Sequence, residues 1–238
     1  MNNNLNLNDG VFVNDDAATK SFVSNVFAYM ALALAISGAL AYLFGTTELG
    51  ESLGSLSEGM TILGWVVMLA PLAFILVMNF GFNKMSFTTL LAVFLGYAAV
   101  MGMSLSFIFL IYDPAVITKV FFITAGLFGA MAFIGYTTKT DLTKFGGILM
   151  MALIGIIIAS VVKMFMGSPF MDYLISCAGV LVFTGLTAYD VQKIKRIGAG
   201  VEFGTAEASK LAFMGALTLY LDFVNLFMFL LRVFARRD

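Results

Sequence analysis

The amino-acid sequence predicts an all-α integral membrane protein that crosses the bilayer seven times. Hydrophobic residues make up 61% of its 238 positions and charged residues only 11%, whereas a soluble domain carries about 25% charged residues. So few charges cannot cover a water-facing surface, and lipid must therefore contact most of the exterior. Seven separate stretches are also apolar over the roughly 20 residues that a membrane-spanning helix needs.

The seven predicted spans follow one another with mostly short connections. They cover residues 22–44, 60–80, 88–111, 116–136, 146–166, 171–190 and 211–231. Pro114 and Pro169 fall in tight links, where a missing backbone donor does no harm, and Pro71 falls inside the second span. Residues 1–20 are rich in Asn and Asp and lack the apolar stretch of a secretory signal. We therefore expect a mobile polar N-terminal tail, followed by a single transmembrane domain at 21–238.

The distribution of lysine and arginine indicates the orientation, because both are enriched in cytoplasmic loops. With the N-terminus inside, eight of the 13 basic residues fall on the inner side and five on the outer side. This count favours a cytoplasmic N-terminus. The basic residues Arg236 and Arg237 at the C-terminus argue for the opposite orientation, unless the last segment re-enters the membrane instead of crossing it.

Several kinds of function are excluded by what the sequence lacks. It contains no histidine, which removes Ser–His and Cys–His nucleophiles and histidine-ligated zinc. Cys177 is the only cysteine, so an intrachain disulfide is impossible. The net charge of −1 provides no basic surface for nucleic acid.

Two acidic residues lie where lipid makes a charge expensive. Asp190 falls at the inner end of the sixth span. Asp222 falls well inside the seventh, about 16 Å from its start at the helical rise per residue. A charged side chain at the centre of a membrane helix costs about 2.5–3.5 kcal/mol on insertion scales, so each one requires a partner or a function. Neither predicted span contains a basic residue that could neutralise its acid.

Both acids lie on stripes of small and polar residues that follow helical spacing. The stripe on the seventh span consists of Gly215, Thr218, Asp222 and Asn225. The stripe on the sixth span consists of Ser176, Gly179, Phe183, Thr187 and Asp190. If the two helices are antiparallel neighbours, these stripes face each other and the carboxyl groups come within reach of one another.

Two carboxyl groups without a base cannot both be ionised at low cost in a medium of low dielectric constant. We therefore expect Asp190 and Asp222 to share a proton near neutral pH. The protonated pair would be hydrogen-bonded, and the doubly ionised pair would separate and attract a cation. The pair is thus predicted to sense pH and to bind a cation, with Asn225, Thr187 and Thr218 as supporting polar residues. The alternative is that each aspartate only hydrogen-bonds the bundle together.

Three motifs resemble those of the Bax inhibitor-1 (TMBIM) family, and of its bacterial members in particular. Two of them carry the acids, GLTAYDVQKIK at 185–195 and LTLYLDFVNLF at 217–227. The third, TKTDLTK at 138–144 followed by Gly146 and Gly147, resembles the family's linker after the fourth span. The resemblance extends over all seven predicted spans and leaves out the N-terminal tail.

The resemblance implies both a fold and a function. The fold would be a bundle of six helices around a central seventh, and the function a pH-sensitive calcium leak across a bacterial-type inner membrane. The aspartates matching Asp190 and Asp222 would bind calcium and gate its passage. Because calcium takes six to eight oxygen ligands, these two carboxylates with Asn225 would bind it only weakly and transiently. Calcium is then the transported ion, the expected partners are membrane lipid, calcium and protons, and we expect no cofactor, no nucleic acid and no enzymatic activity.

One part of the family's pattern is missing from this sequence. Members whose aspartate pair is described have an arginine near the end of the second span that engages the pair. Residues 77–84 read VMNFGFNK here and contain no arginine. Asn79 and Lys84 are the polar residues of this segment that could take its place.

Three other functions fit parts of the same sequence. An intramembrane aspartyl protease also uses two aspartates on neighbouring helices, but its second motif is Gly-x-Gly-Asp and here LYL precedes Asp222. A proton-coupled transporter of a small solute would need a polar substrate cavity and broken helices paired between two halves, and the sequence indicates neither. A regulatory membrane protein without transport of its own is the third alternative.

Overall fold

The computed structural model of the protein describes residues 15–55, 59–82, 84–202 and 204–234. Seven long helices follow each other along the chain: α1 (Asp15–Thr46), α2 (Ile62–Gly81), α3 (Phe87–Leu105), α4 (Pro114–Thr137), α5 (Thr143–Met166), α6 (Pro169–Gly200) and α7 (Ala206–Phe234). Between α1 and α2 lie a short 3-10 helix (Glu48–Ser52) and an antiparallel hairpin of β1 (Gly54–Ser55) and β2 (Gly59–Met60). A 3-10 turn (Ser106–Leu110) continues α3.

All seven helices are long and apolar enough to cross a membrane, which confirms the predicted fold class. Their outer surfaces carry large apolar side chains, and Ile62, Phe80 and Phe165 are each more than four fifths exposed. In water such a surface would be costly, so the exposed side chains form a belt that faces lipid. α7 is one uninterrupted helix of 29 residues and therefore does not turn back within the membrane.

α6 is longer than the sixth predicted span, which ends at Asp190. The helix continues for ten further residues to Gly200, and the connection to α7 shrinks to residues 201–205. This continuation is amphipathic, with Lys193 and Arg196 exposed on one side. Its buried residues are Val191, Gln192, Ile194 and Gly198. Hydropathy averaged over a span does not detect such a segment, because its charged residues cancel its apolar ones.

The N-terminal boundary also differs from the prediction. α1 begins at Asp15, so residues 15–20, which were assigned to the polar tail, are helical. Residues 1–14 lie outside the described residues.

Prolines and polar caps set the starts of two helices. Pro114 and Pro169 lie in the first turns of α4 and α6, directly after the N-cap residues Asp113 and Ser168. Proline is suited to this position because its missing N–H would have no partner within the helix. The links before α4 and α6 are consequently short. Pro71 lies inside α2, as predicted.

The buried interior of the bundle is built mainly from α6 and α7. α7 is the most buried of the seven helices, and it packs against α1, α3, α4 and α6. In the described part of the chain, α5 packs on α6 and α2 packs on α3, and neither makes more than marginal contact with α7. The complete surround of six helices that the resemblance implies therefore stays a prediction. Below, the linker end is the end of the bundle with the α4–α5 linker (residues 138–142), and the hairpin end is the opposite end with β1 and β2.

Candidate functional site

The structure brings the two acids of the sequence analysis together. α6 and α7 are joined by five residues and form the most extensive helix–helix contact of the protein, so they run antiparallel. Asp190 and Asp222 meet at this contact, with their carboxyl groups in hydrogen-bonding range of each other. Only 8% and 5% of their surfaces are exposed. A hydrogen bond between two carboxyl groups requires a proton on one of them, because two carboxylates are acceptors only.

The pair lies deep in the bundle. Asp190 is ten residues from the end of α6 and Asp222 is twelve residues from the end of α7, which corresponds to about 15–18 Å of helical rise. Asp190 ends the sixth predicted span, but it lies well inside a longer helix. Both acids are buried in the bundle, away from the helix ends.

Two glycines of the predicted stripes let α6 and α7 approach on either side of the pair. Gly179 of α6 lies against the ring of Phe229, where an added Cβ would come within 2.6 Å of ring atoms. Gly215 of α7 lies against the side chain of Ile194, which an added Cβ would meet at 3.3 Å. Gly179 and Gly215 of the predicted stripes thus lie where α6 packs in the bundle interior against α7.

A cavity of about 560 Å³ lies beside the pair, between α5 and α7 with α6 behind it. Its wall on α5 extends from Met150 to Met164, or about 21 Å along the helix. Asp190 and Asp222 line the cavity nearer the linker end, and Phe229 lines it toward the hairpin end. The carboxyl groups therefore face open space and not a sealed core.

The cavity wall is mostly apolar, and its neutral polar groups present oxygen acceptors. Ser160, Thr218 and Asn225 lie among its lining residues. The hydroxyl groups of Ser160 and Thr218 each donate to a carbonyl of their own helix, and so does the amide nitrogen of Asn225. These hydroxyl donors and one of the two N–H groups of Asn225 are used within the helices, while the oxygen lone pairs remain for a ligand. Such a wall suits a cation better than an anion.

Thr187 does not belong to this wall. Its side chain is completely buried within the bundle and donates to the carbonyl of Phe183 at 2.8 Å. Of the three supporting residues predicted from the sequence, Asn225 and Thr218 line the cavity and Thr187 packs behind it.

One oxygen atom of the pair receives no hydrogen bond from an N–H or hydroxyl group. Asp222 Oδ2 is buried and has no such donor, which is rare for a buried polar atom. It marks a position where a proton, a water molecule or a cation would be held. The described residues contain no cluster of three or more carboxylate, thiolate or imidazole groups. A cation here would therefore have the two carboxylates as its only charged ligands, and water would complete its shell.

A basic residue lies closer to the pair than the sequence analysis predicted. Because α6 extends past Asp190, Lys193 lies one helical turn further along the same helix, and its positive charge acts on Asp190. The Lys193 side chain is exposed, and no ion pair joins it to Asp190 in the described part of the protein. The pair is thus influenced by a cation but not neutralised by one.

The second span does not replace the arginine of the relatives. Asn79 and Lys84 are both exposed. α2 packs against α3, and within the described ranges it has no substantial contact with α6 or α7. Neither residue is therefore placed to engage the pair.

Just beyond the pair, the α4–α5 linker is fastened to α6 by a residue that the sequence analysis did not select. Gln192 follows Asp190 by two residues and is only 6% exposed. Its Oε1 accepts a hydrogen bond from the Leu142 N–H at 2.9 Å, and its Nε2 donates to the Thr140 carbonyl at 2.8 Å. The sequence could have indicated Gln192, because this glutamine lies inside the motif that carries Asp190 and has buried neighbours on its face of the helix.

Arg196 strengthens the same attachment at the surface. Its guanidinium donates to Asp141 and Thr143 of the linker region, and to Gln192 Oε1 at 2.9 Å. The hydrogen bond from Arg196 holds the pKa of Asp141 well below its usual range. We term this set of contacts the linker clasp; it consists of Thr140, Asp141, Leu142, Thr143, Gln192 and Arg196.

Comparison with known proteins assigns this arrangement to a family. The model of the family described as "Inhibitor of apoptosis-promoting Bax1" matches residues 19–238, which include the pair, the cavity and the linker clasp. The chain belongs to the Bax inhibitor-1 family. This confirms the resemblance seen in the motifs around the two acids and the linker.

Similar proteins occur in several bacteria. Inner membrane protein YbhL of Escherichia coli strain K12 is 39% identical over 223 residues, which cover 93% of this chain and 94% of that protein. An uncharacterized protein of Borreliella burgdorferi is 41% identical over 216 residues, covering 91% of this chain and 92% of its own. An uncharacterized protein of Rickettsia prowazekii is 41% identical over 225 residues, covering 93% and 92%. The Bax inhibitor-1 family member described here therefore matches these proteins over nearly their whole length.

Proposed function

We propose that the protein is a pH-sensitive calcium leak channel of a bacterial inner membrane, gated by Asp190 and Asp222. The observation that carries the proposal is that two buried carboxyl groups in hydrogen-bonding range face a cavity between α5 and α7. The inner-membrane location is inferred from the name of the Escherichia coli relative. The distribution of Lys and Arg supports a cytoplasmic N-terminus, in which case the linker end faces the cytoplasm.

The pair can act as a latch because its two protonation states differ in energy. Two unit charges about 4 Å apart repel each other by about 4 kcal/mol at an effective dielectric constant near 20. A typical hydrogen bond contributes only about 0.5–1.5 kcal/mol net. Loss of the shared proton would therefore separate the carboxylates, unless a cation lies between them. Protons and cations then compete for the same two side chains, which makes the leak depend on pH.

Calcium suits the doubly ionised form of the pair. It takes six to eight oxygen ligands, and the carboxylates offer theirs together with the neutral oxygens of Thr218 and Asn225 on the same wall. The remaining positions are left to water. Binding of this kind is weak enough for release, as conduction requires.

The cavity forms the part of an ion path that leads from the pair toward the hairpin end, and the linker clasp closes the part toward the linker end. From the pair toward the hairpin end, open space follows α5 as far as Met164. In the other direction, the hydrogen bonds of Gln192 to Thr140 and Leu142 hold the linker against α6. We take this conformation as the closed state. Conduction would require the pair and the clasp to release.

Calcium entry into proteoliposomes loaded with a calcium dye tests the proposal. We expect entry to change with pH between about 5 and 8, because loss of the shared proton changes the charge of the pair. Asp190→Asn and Asp222→Asn should each flatten this dependence. Asp113→Asn is the matched control, because Asp113 caps α4 outside the cavity and asparagine caps equally well. If both pair variants titrate like the wild type, the latch does not exist.

A proton-coupled transporter of a small solute is the second candidate. The observation that favours it is the cavity volume of about 560 Å³, which lies within the roughly 300–1,000 Å³ of small-molecule sites. A leak needs no second substrate, so calcium entry without any added solute supports the channel. Proton uptake only on addition of a solute, without calcium flux, would support the transporter. Absence of both would favour a regulatory protein without transport of its own.

A further inference from the structure

A second cavity lies on the other side of α7 from the aspartate pair. Its volume is about 300 Å³, and its walls come from α1, α4, α7 and the end of α3 with its 3-10 turn. Phe223, Val224 and Phe227 of α7 form its floor, and Tyr42 and Phe122 lie at its rim. We term it the rear cavity.

The rear cavity has few polar groups that could bind a water molecule. Ser37, Thr118 and Tyr42 are its only lining residues with polar side-chain atoms. The Ser37 hydroxyl donates to the Ala98 carbonyl at 2.7 Å, and the Thr118 hydroxyl donates to the Pro114 carbonyl at 2.8 Å. A buried water molecule needs two to four polar partners. With the Ser37 and Thr118 donors already used and Tyr42 at the rim, hydrocarbon fits the space better than water does.

The mouth of the rear cavity opens to the lipid-facing belt. Tyr42 of α1 is 62% exposed and Phe122 of α4 is 68% exposed, whereas Phe223 and Phe227 at the floor are buried. Over their described lengths, α1 and α4 make almost no direct contact with each other. A gap between two membrane-spanning helices therefore leads from the bilayer to the floor on α7.

We propose that the rear cavity binds one acyl chain of a membrane phospholipid, which enters between α1 and α4. Its mouth is continuous with the surface that lipid already covers, so acyl chains surround the entrance at high concentration. The aromatic side chains of the lining contact one another, as Phe121 does with Phe223 and Phe227, and a hydrocarbon chain in the open space would add dispersion contacts that an empty cavity lacks. The site lies toward the hairpin end, since Tyr42 is close to the end of α1 and Thr118 is close to the start of α4. It does not depend on the proposed calcium leak.

Photolabelling of the full chain in lipid vesicles tests this site. The vesicles contain phosphatidylethanolamine, phosphatidylglycerol and a phospholipid with a diazirine in its acyl chain, and mass spectrometry locates the label. We expect label on the α7 segment with Phe223 and Phe227, in addition to lipid-facing residues such as Phe133, which is 69% exposed. Bulk lipid reaches Phe133 but not the buried floor.

Variants that fill or block the cavity should remove only the label at the floor. Gly38 lines the rear cavity, and a Cβ added there meets nothing within 4 Å, so Gly38→Leu fills the space and Gly38→Ala leaves most of it. Thr118→Trp blocks the mouth from an exposed position and serves if the first variant does not fold. Gly129→Leu is the matched control, because Gly129 is equally open and lies outside the cavity.

One outcome of the labelling experiment supports the site, and two outcomes overturn it. Loss of the floor label in Gly38→Leu or Thr118→Trp, with the Phe133 label and the Gly38→Ala and Gly129→Leu variants unaffected, supports the site. A wild-type protein that is labelled at Phe133 but not at the floor overturns it. So does a floor label that persists in both the filled and the blocked variant.

Discussion

The Gln192 side chain allows the strength of the linker clasp to be measured. It makes two hydrogen bonds to the linker, one with Leu142 and one with Thr140, at 2.9 and 2.8 Å, and it is 6% exposed. At about 0.5–1.5 kcal/mol for each bond, Gln192→Ala should cost about 1–3 kcal/mol of linker docking. A free-energy change of that size makes opening of the linker roughly 5- to 150-fold more frequent.

Hydrogen exchange in lipid nanodiscs measures this opening directly. In Gln192→Ala, protection of the Leu142 amide should fall by the factor above, because its acceptor is gone, while amides in the middle of α6 keep their protection. Lys193→Ala is the control, since Lys193 is exposed and makes no hydrogen bond to the linker among the described residues. The calcium leak of Gln192→Ala should also rise at constant pH. Unchanged protection at Leu142 would refute the clasp as the element that closes the linker end.

Three further predictions concern packing, pH and a buried hydroxyl. Gly135→Ala should lower the free energy of thermal unfolding by about 1–3 kcal/mol, because the added Cβ would come within 2.3 Å of the Ala188 carbonyl oxygen and push α4 away from α6. Gly147→Ala is the control, because a Cβ added there meets nothing within 4 Å. It should instead stabilise the protein by up to about 1 kcal/mol through helix propensity. Arg196 holds the pKa of Asp141 below its usual range. The ion pair of Arg196 with Asp141 therefore stabilises the fold fully at any pH above the unfolded-state pKa of about 3.9. This stabilisation is lost only as pH falls through the lower pKa of the folded state. Asp141→Asn should therefore leave the shape of the leak's pH profile between about 5 and 8 unchanged, and an altered profile would implicate the clasp in pH sensing. Ser37→Ala should cost about 1–3 kcal/mol in thermal unfolding, because the hydroxyl of Tyr220, 2.7 Å from that of Ser37, would lose its partner, whereas Ser24→Ala at an exposed site should be neutral.

Hydropathy and the cost of buried charge were sufficient to predict the seven helices and the meeting of Asp190 with Asp222. Both predictions rest on large energies, since an apolar stretch must contact lipid and an unpaired acid must find a partner. The helical spacing of Thr218 and Asn225 around Asp222 placed these three residues on one face of α7, and all three line the cavity.

The same reasoning failed where the chain leaves the apolar region. Residues 191–200 continue α6 because one face is buried in the bundle, and tertiary packing of this kind is invisible to a hydropathy average. The misplaced end of α6 hid the proximity of Lys193 to Asp190 and the contacts of Gln192 with the linker. Thr187 was assigned to the site from spacing alone, although it packs behind the cavity wall.

Infrared spectroscopy of the purified protein in lipid tests the central claim most directly, because a protonated carboxylic acid has its own C=O absorption. With isotope-labelled aspartate, we expect a signal from one buried protonated carboxyl group near neutral pH that is lost as pH rises or as calcium is added. Near neutral pH the signal should be absent in the double variant Asp190→Asn, Asp222→Asn. A wild-type protein that never shows this signal, or a double variant that retains it, would contradict the shared proton on which the gate depends.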